Sequence, residues 1–311
     1  MARGGGRRYD TVDGLLLLNK PPGMTSNRAL QAVRRLLNAK KAGHTGSLDP
    51  SATGMLPLCF GEATKVCAYL LDADKTYRVT ARLGTATSTA DADGGETIAT
   101  AEVPDLSFEE WNQILQGFMG ESTQIPPMYS ALKKDGKRLY ELARQGQTVE
   151  REPRPIRIDQ IQLLEAAGTR LVFRVACSKG TYVRTLVEDI ARQAGTVAHT
   201  ARLHRESVAG FRSEDMVDLA TVEARAEEDR EALAAGLLPP DEALTGMDAV
   251  EVDATEGEKF SGGQALRVAD ESKIGLVRVY QAGHRFLGVG ELSGDGMLAP
   301  RRVFQLQEKT P

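Results

Sequence analysis

The segment KTYRVTARLG, residues 75–84, constrains the fold most strongly, because apolar residues recur in it at every second position. In an extended chain, one side of this segment carries Tyr77, Val79, Ala81 and Leu83. Such alternation is typical of a strand with one face toward a core. A β-strand is therefore the first element that the sequence predicts.

The remaining segments predict a mixture of strands and helices. Apolar or alternating runs indicate strands at 14–23, 55–61, 156–164, 170–178 and 197–205. Helical periodicity indicates helices at 26–41, 63–71, 108–120, 138–145 and in the later part of 180–195. We expect Ser26 and Asn27 to cap the first of these helices. The apolar face of the third is formed by Phe108, Trp111, Leu115 and Phe118.

The chain is long enough for two domains. Its 311 residues can bury a sizeable core, and Pro239 with Pro240 marks a boundary. Beyond it, short strands near residues 250, 265, 276, 285 and 297 are separated by glycine turns. We predict a larger domain at 11–238, a small β-rich module at 239–311, and a disordered basic tail at 1–10.

The charge is unevenly distributed along the chain. The net charge is −4, but segment 214–258 holds fifteen Asp and Glu against two Arg, so the rest of the chain is basic. A basic body can hold a polyanion locally, although both regions can equally be solvated faces. No apolar run approaches the length of a membrane span, and no secretory signal is recognisable, so we expect a cytoplasmic protein. The three cysteines are expected in the core, without a disulfide framework or zinc site.

The loop GHTGSLDPSATG is the most informative stretch for chemistry. Its glycines let the backbone approach a ligand closely, and Pro50 biases Asp49 toward extended geometry. It lacks the Gly-Lys-Ser/Thr of a phosphate loop and the G-x-S-x-G of a nucleophile elbow. His44 and Asp49 have no third metal ligand at useful spacing. An isolated carboxylate suits nucleophilic catalysis on a sugar or base, or else simply forms an Asx-turn.

Residues 124–155 mix basic side chains with Tyr129 and Tyr140. That composition suits a surface that contacts a phosphate backbone and packs on bases, or a solvated insertion. The candidate backbone contacts are Lys133, Lys134, Lys137, Arg138, Arg144, Arg151 and Arg154.

Six motifs in one order resemble the TruB family of pseudouridine synthases. They are LLNKPPGMTS, GHTGSLDPSATGMLPLCFGEATK, KTYRVTARLGTAT, TADADGGE, PPMYSALKKDGKRLYELARQG and CSKGTYVRTLVEDI. The similarity covers about residues 14–212 and is weak after Pro240, where the family carries a small RNA-binding module like the PUA domain. The resemblance implies an α+β fold: a mixed, largely antiparallel central sheet with flanking helices and loops, plus a β-rich PUA-like C-terminal module.

The resemblance also assigns roles to residues. Asp49 matches the catalytic nucleophile, Tyr77 the tyrosine that stacks on the target base, and Arg184 the arginine that pairs with the carboxylate. Tyr182 and Leu203 match residues of the uracil pocket. His44 matches the histidine associated with flipping the nucleotide. Lys20, with Pro21, matches a motif that supports the catalytic loop, and Asp91 of TADADGGE is a further expected substrate-binding residue.

The implied reaction is isomerisation of uridine to pseudouridine at position 55, in the TΨC arm of tRNA. No electrons enter or leave, so we expect no cofactor and no metal. The expected partner is tRNA, without a guide RNA or a membrane, and the expected state is a monomer. Two alternatives stay open: an RNA-folding protein with an idle site, and the guide-dependent relative of the family. The sequence leaves open whether Asp49 attacks sugar or base, or promotes loss of a sugar proton.

Overall fold

The computed structural model describes residues 9–93, 95–268 and 273–306. Of the basic tail expected at residues 1–10, residues 1–8 lie outside these ranges. Asp10 forms a β-bridge with Ala39, and its Oδ2 lies 3.2 Å from Nη2 of Arg230. The chain is therefore fixed to the folded body from its tenth residue.

The described residues form eighteen strands and eight α-helices. The strands are β1 (Gly14–Lys20), β2 (Ala42–His44), β3 (Thr53–Phe60), β4 (Lys75–Leu83), β5 (Thr85–Thr87), β6 (Thr97–Thr100), β7 (Gly120–Gln124), β8 (Lys133–Lys134), β9 (Lys137–Arg138), β10 (Arg154–Ala167), β11 (Arg170–Cys177), β12 (Ala198–Val208), β13 (Val217–Asp218), β14 (Asp248–Val252), β15 (Leu266–Arg267), β16 (Gly275–Gln281), β17 (Arg285–Leu292) and β18 (Met297–Val303). The helices are α1 (Ser26–Leu36), α2 (Cys67–Asp72), α3 (Phe108–Gln116), α4 (Leu139–Arg144), α5 (Val183–Gln193), α6 (Leu219–Glu228), α7 (Arg230–Ala235) and α8 (Ala254–Ser261). Short 3-10 helices lie at Gly61–Val66, Ser213–Asp215 and Pro240–Leu244.

A nine-stranded sheet, counted over the described ranges, is the centre of the molecule. Its order is β13-β1-β3-β12-β4-β11-β10-β7, with β2 paired to β3. The pairs β1–β13 and β3–β12 are parallel and the other pairs are antiparallel. The predicted α+β fold with a largely antiparallel central sheet is thus confirmed.

Two apolar clusters hold helices against this sheet. The alternation of β4 is as predicted: Tyr77, Val79, Ala81 and Leu83 are all buried. These residues join β10 and β11 in packing against α3 and α5. A second cluster joins β1 and β3 to α1, α6 and α7. One face of β4 is therefore covered by α3 and α5, and the site lies where β4 meets β12.

Several local expectations were wrong. Thr25, not Ser26 or Asn27, caps α1, and its side chain accepts a hydrogen bond from the Arg28 N–H. That helix ends at Leu36 rather than at Lys41. Phe108 begins α3 but is 52% exposed, so it does not belong to the buried face. Of the cysteines, Cys59 and Cys177 are buried as expected, whereas Cys67 is only partly buried.

Some elements were not predicted at all. They are the strands β2, β7 and β13, the β5–β6 and β8–β9 hairpins, the helices α6 and α7 in the acidic segment, and α8. All are short or polar, so their periodicity in the sequence is weak. No helix within the described ranges is long and apolar enough to cross a membrane.

The C-terminal part is β-rich, as predicted. Its five-stranded sheet has the order β14-β16-β17-β18-β15, and α8 packs on it through Phe260. Another cluster joins this sheet to the larger one, where Phe286 and Phe304 pack with Met55. Lys65 Nζ also donates a hydrogen bond to Val303 O at 2.7 Å. The two sheets are therefore in direct, partly apolar contact.

Candidate active site

The loop between β2 and β3 carries Asp49. Gly54, at the start of β3, has φ of +97°, and a Cβ there would lie 2.3 Å from Arg205 O on the neighbouring strand β12. Only glycine permits so close a backbone approach. Inside the loop, the Ala52 N–H donates to Asp49 O at 3.1 Å, which closes a turn around the carboxylate. The loop is therefore a defined structure and not a slack connection.

Ser26 holds this loop from the side of α1. Its hydroxyl accepts from Leu48 N at 2.8 Å and donates to Leu48 O at 3.1 Å, and all these atoms are buried. Because both backbone groups of Leu48 are satisfied by one side chain, the residue before Asp49 is fixed. Ser26 thus has a positioning role in place of the expected capping role.

Lys20 holds the other side of the loop. Its buried Nζ donates to Pro21 O and Met24 O, both at 2.8 Å, and to Pro50 O at 3.2 Å. Burial lowers the pKa of this ammonium to about 8, although Asp49 opposes the shift. Lys20 therefore ties the end of β1 to the residue that follows Asp49.

Asp49 is paired with Arg184 at the start of α5. Nε of Arg184 lies 2.9 Å from Asp49 Oδ2, and Nη2 lies 3.5 Å from Oδ1. The arginine side chain is only 6% exposed, whereas the aspartate side chain is 38% exposed. A forked guanidinium orients a carboxylate in two directions at once. One partner is thus rigid and buried, and the other is oriented toward solvent.

Arg184 also contacts two other segments. Its Nη1 donates to Thr89 O at 2.8 Å, and its Nη2 donates to Tyr129 O at 2.6 Å. Thr89 follows β5, and Tyr129 belongs to the insertion at 124–155. A single guanidinium therefore links the Asp49 loop, the β5–β6 region and the base of the insertion.

The environment of Asp49 raises the pKa of its carboxyl above the ordinary value. Burial is the largest cause, and the nearby Asp91 adds to it. Arg184 and Lys20 oppose the shift without reversing it. A carboxylate disfavoured by desolvation is a stronger base than an exposed one.

Tyr77 and Leu203 form an apolar wall beside the loop. Tyr77 is buried in β4 and Leu203 is half-buried in β12, and both pack with Leu48 in one cluster. Burial raises the pKa of the Tyr77 phenol, while the positive charge of the nearby Arg205 opposes the shift. The wall thus presents an aromatic ring and an aliphatic side chain close to Asp49.

Tyr182 lies at the N-terminus of α5, directly before Val183. Its N–H donates to Gln124 Oε1 at 2.8 Å, and Gln124 Nε2 donates back to Tyr182 O at 3.1 Å. Burial raises the pKa of its phenol, and the nearby Ser130 opposes that shift. Tyr182 also lines a cleft of about 920 Å³ with the basic side chains of Arg154, Arg157 and Lys179.

His44 and Asp91 lie at the edges of the site. Burial, aided by Arg205, lowers the pKa of His44, so the imidazole is neutral at pH 7. Its Nδ1 is buried without a protein partner among the described residues. Asp91 accepts from Ser51 Oγ at 2.8 Å, and so contacts the Asp49 loop.

The basic residues of the insertion lie mostly on the surface. A hairpin of β8 and β9 turns at Asp135 and Gly136, both with positive φ. All the candidate contacts are exposed except Arg151, which is partly buried and donates to Pro126 O at 3.1 Å. The guanidinium carbons of Arg138 and Arg144 lie 5.9 Å and 5.4 Å from the centre of the Tyr140 ring. Lys134 Nζ donates to Glu150 O at 2.7 Å.

The structure therefore brings together most of the predicted site. Asp49, Arg184, Tyr77 and Lys20 interact with one another directly or electrostatically. The residues that sequence reasoning missed are Ser26, Gln124, Ser130 and Arg205. Ser26 and Ser130 lie within the motifs of the resemblance, whereas no local pattern singles out Gln124 or Arg205. Among the described residues no group of three or more His, Cys, Asp or Glu could hold a metal ion.

Comparison with known protein families agrees with this geometry. The model of the TruB family pseudouridylate synthase N-terminal domain matches residues 34–183, which include Asp49, Tyr77 and Tyr182. Two models of TruB C-terminal domains match residues 184–245 and 249–304. A protein from Stutzerimonas stutzeri named tRNA pseudouridine synthase B is 50% identical over 295 residues, which are 94% of this chain and 96% of that one.

This chain belongs to the TruB family of pseudouridine synthases. A second family member with the same name, from Nitrosococcus oceani, is 48% identical over 299 residues, or 96% of this chain and 97% of that one. The Asp49 loop and the α5 arginine thus belong to an enzyme of the TruB family.

Solved structures show the same fold as this TruB-family chain. A chain of the Cbf5-Nop10-Gar1 complex has a TM-score of 0.74 and 24% identity, covering 95% of this chain and 86% of its own. A chain of an H/ACA RNP bound to a substrate RNA containing 2′-deoxyuridine has a TM-score of 0.72 and 22% identity, with coverage of 95% and 86%. At these identities the likeness concerns the fold alone.

Proposed function

We propose that this enzyme isomerises uridine 55 in the TΨC arm of tRNA to pseudouridine, with Asp49 as the catalytic carboxylate. The observation that carries the proposal is the ion pair of Asp49 with the buried Arg184, next to the ring of Tyr77. The named relatives act on tRNA by their names, and they align over nearly all of this chain. The site and the relatives thus support the same reaction.

The residues suit the bond changes of this isomerisation. The N1–C1′ bond of uridine breaks, a C5–C1′ bond forms, C5 loses its proton and N1 gains one. The product is an isomer, so no electrons are exchanged. Asp49 supplies the ionised oxygen that starts the reaction, and Arg184 holds that oxygen in one orientation.

The apolar wall suits a base that has left its stack. Tyr77 offers a flat face to the uracil and Leu203 packs beside it. Tyr182, two residues before Arg184, bonds to Gln124 at the start of the insertion. Flipping a nucleotide costs a few kcal/mol. The neutral His44 and the phosphate contacts of the insertion offset that cost through stacking and charge. Asp91 acts through Ser51 by fixing the loop.

The insertion supports a stand-alone enzyme that requires no guide RNA. Its exposed basic side chains form an RNA-binding surface within the chain, beside the base of the insertion that Arg184 contacts. We infer that the protein works as a cytoplasmic monomer on tRNA, with residues 11–238 as the catalytic domain and 239–311 as a PUA-like RNA-binding domain.

The test is tritium release from a tRNA transcript labelled at C5 of uridine. The wild-type protein should release label without any guide RNA, and a transcript with cytidine at position 55 should release none from that site. Asp49→Asn should release no label, while the exposed Asp105→Asn should match the wild type. Full turnover by Asp49→Asn would contradict the assignment of the catalytic carboxylate.

A second role in tRNA folding is favoured by one observation. The exposed basic residues of the insertion lie outside the Asp49–Arg184 pair, so RNA binding does not require the carboxylate. We expect Asp49→Asn to bind tRNA with wild-type affinity in a filter assay and to speed refolding of a misfolded transcript. Loss of refolding together with isomerisation would show that the second role does not exist separately.

A further inference from the structure

Arg205 has the largest fully buried side chain among the described residues, and it lies outside the Asp49–Arg184 ion pair. It lies in β12, in the middle of the central sheet, and is 1% exposed. No ion pair within the described ranges includes it, so no carboxylate neutralises its charge there. Because burying a guanidinium without a counter-charge is costly, a chain that does so has to offset the cost with hydrogen bonds.

The hydrogen bonds of Arg205 reach both ends of the Asp49 loop. Its Nη2 donates to Gly46 O at 3.1 Å, and its Nε donates to Met55 O at 2.7 Å. Gly46 precedes Asp49 and Met55 follows it on β3. Gly46 has a φ of +84°, a conformation that favours glycine, and a Cβ there would make ordinary contact with Nη1 at 3.6 Å. The guanidinium therefore links the two ends of the Asp49 loop.

Arg205 also faces Tyr77. The two residues are direct partners in the antiparallel pairing of β12 with β4, so their side chains leave the sheet on the same face. The charge of the guanidinium lies close enough to lower the pKa of the Tyr77 phenol against the effect of burial. One buried cation thus bonds to the Asp49 loop and faces the tyrosine across the strand pair.

Arg205 and Asp49 act on the Tyr77 phenol in opposite senses. The positive charge of Arg205 lowers the pKa of the phenol, whereas the negative charge of Asp49 raises it. Because Met55 O and Gly46 O hold the guanidinium, its charge acts on Tyr77 from one fixed position.

We propose that Arg205 is a positioning residue that fixes both ends of the Asp49 loop and holds its buried charge beside the Tyr77 phenol. The proposal rests on the function proposed above, because its kinetic consequence concerns that reaction. Arg205 touches no substrate and acts only through Tyr77 and the loop.

The first test compares charge with volume at position 205. Arg205→Met keeps the length of the side chain without charge or donors, and Arg205→Lys keeps the charge. We expect kcat of Arg205→Met to fall by about 100-fold, as for a displaced reacting group, with KM for tRNA unchanged. Arg205→Lys should recover part of that loss. Leu171→Ala, a buried change in the same sheet, controls for lowered stability alone and should keep its kcat.

The second test asks whether Arg205 acts through Tyr77. In single-turnover assays, Arg205→Met should slow the wild-type background much more than the Tyr77→Phe background, since the phenylalanine has no hydroxyl on which the charge can act. Equal slowing in both backgrounds, together with equal kcat for the Met and Lys variants, would mean that Arg205 only fills space.

The third test needs no substrate. With 3-fluorotyrosine incorporated, ¹⁹F NMR follows ionisation of Tyr77, whose resonance is identified by its loss in Tyr77→Phe. Without the Arg205 charge, the pKa of this phenol should rise by about one unit or more, while Leu171→Ala leaves it unchanged. If Arg205→Met does not fold, Arg205→Gln is titrated instead. An unchanged Tyr77 titration in a folded charge-free variant overturns the proposal.

The third test also distinguishes a failure of the Arg205 proposal from a failure of the proposed function. If the wild-type protein made no pseudouridine in tRNA, the proposed function would fall. The titration of Tyr77 would nevertheless still reveal whether Arg205 controls its hydroxyl.

Discussion

At the scale of residues, the site depends on side chains that satisfy backbone groups of one loop. Ser26 contacts Leu48, Lys20 contacts Pro50, and Arg205 contacts Gly46 and Met55. Each of these donors is buried, so water cannot replace it when it is removed. The position of the Asp49 loop is therefore set by buried residues other than Arg184, the ion-pair partner of Asp49.

Ser26→Ala tests this dependence. It leaves the buried N–H of Leu48 without a partner, which costs about 1–3 kcal/mol. We expect a lower melting temperature and a lower kcat. The adjacent Asn27→Ala is the matched control, because Asn27 is exposed and should change neither quantity. If both variants behaved alike, the Ser26–Leu48 contacts would not matter.

The pH dependence of the reaction follows from Asp49. Its folded-state pKa is raised by burial, and the ionised form is needed for catalysis. Activity should therefore fall as the pH decreases, and at a higher pH than the usual aspartate value of about 3.9. The measurement is the single-turnover rate constant as a function of pH, with tRNA binding followed in parallel. The effect of pH on stability runs in the opposite direction. Because burial makes the pKa of Asp49 higher in the folded state than in the unfolded state, this group adds to the free energy of unfolding at low pH. That contribution is lost as the pH rises through the folded-state pKa.

At the scale of elements, the insertion is a short helix and a hairpin attached to the site through Tyr129. Its basic residues project from β8, β9 and α4 on the surface. Contacts between basic side chains and phosphates contribute affinity but no sequence specificity, because every nucleotide carries the same phosphate group. The insertion should thus determine binding, and the central sheet should determine chemistry.

Charge reversal separates these two roles. Replacing Lys133, Lys134, Lys137 and Arg138 with glutamate should weaken tRNA binding and reduce its salt dependence, because fewer counterions are released. The rate of the bound complex should change much less. Arg170→Glu and Arg192→Glu, at exposed positions elsewhere, serve as controls. A salt-independent affinity of the wild-type protein would argue against the insertion as an RNA-binding surface.

At the scale of the whole molecule, the two sheets share an apolar cluster. Phe304 is buried there, its ring lies 5.0 Å from that of Phe286, and Gln305 N donates to Glu62 Oε2 at 2.8 Å. Shared burial couples the stabilities of the parts that share it. We expect the C-terminal module to stabilise the larger sheet and not only to bind RNA.

Phe304→Ala tests that coupling. Removing a buried phenylalanine costs about 3–5 kcal/mol. Calorimetry should show the melting of the whole protein shifted downward, whereas Phe108→Ala, at an exposed position, should leave it unchanged. A shift confined to a separate C-terminal transition would show that the two sheets unfold independently.

The amino-acid sequence by itself determined the local features. The alternation at 75–84 specified β4 and its buried face, and the glycines and Pro50 specified an irregular loop at Asp49. These features follow from φ/ψ preferences and periodicity, which act over a few residues. The motifs of the resemblance specified the family, because their order and content are highly specific.

Only the tertiary structure decided which residues meet. Asp49 and Arg184 are 135 positions apart, and Arg205 lies 150 positions from Met55. Their contacts depend on the order of strands in the sheet, which places β12 between β3 and β4. Ser26 looked like a helix cap because its local sequence fits one, yet burial against Leu48 gave it a different partner. Contacts between residues far apart in the chain depend on the packing of the whole core, which no local sequence pattern reveals.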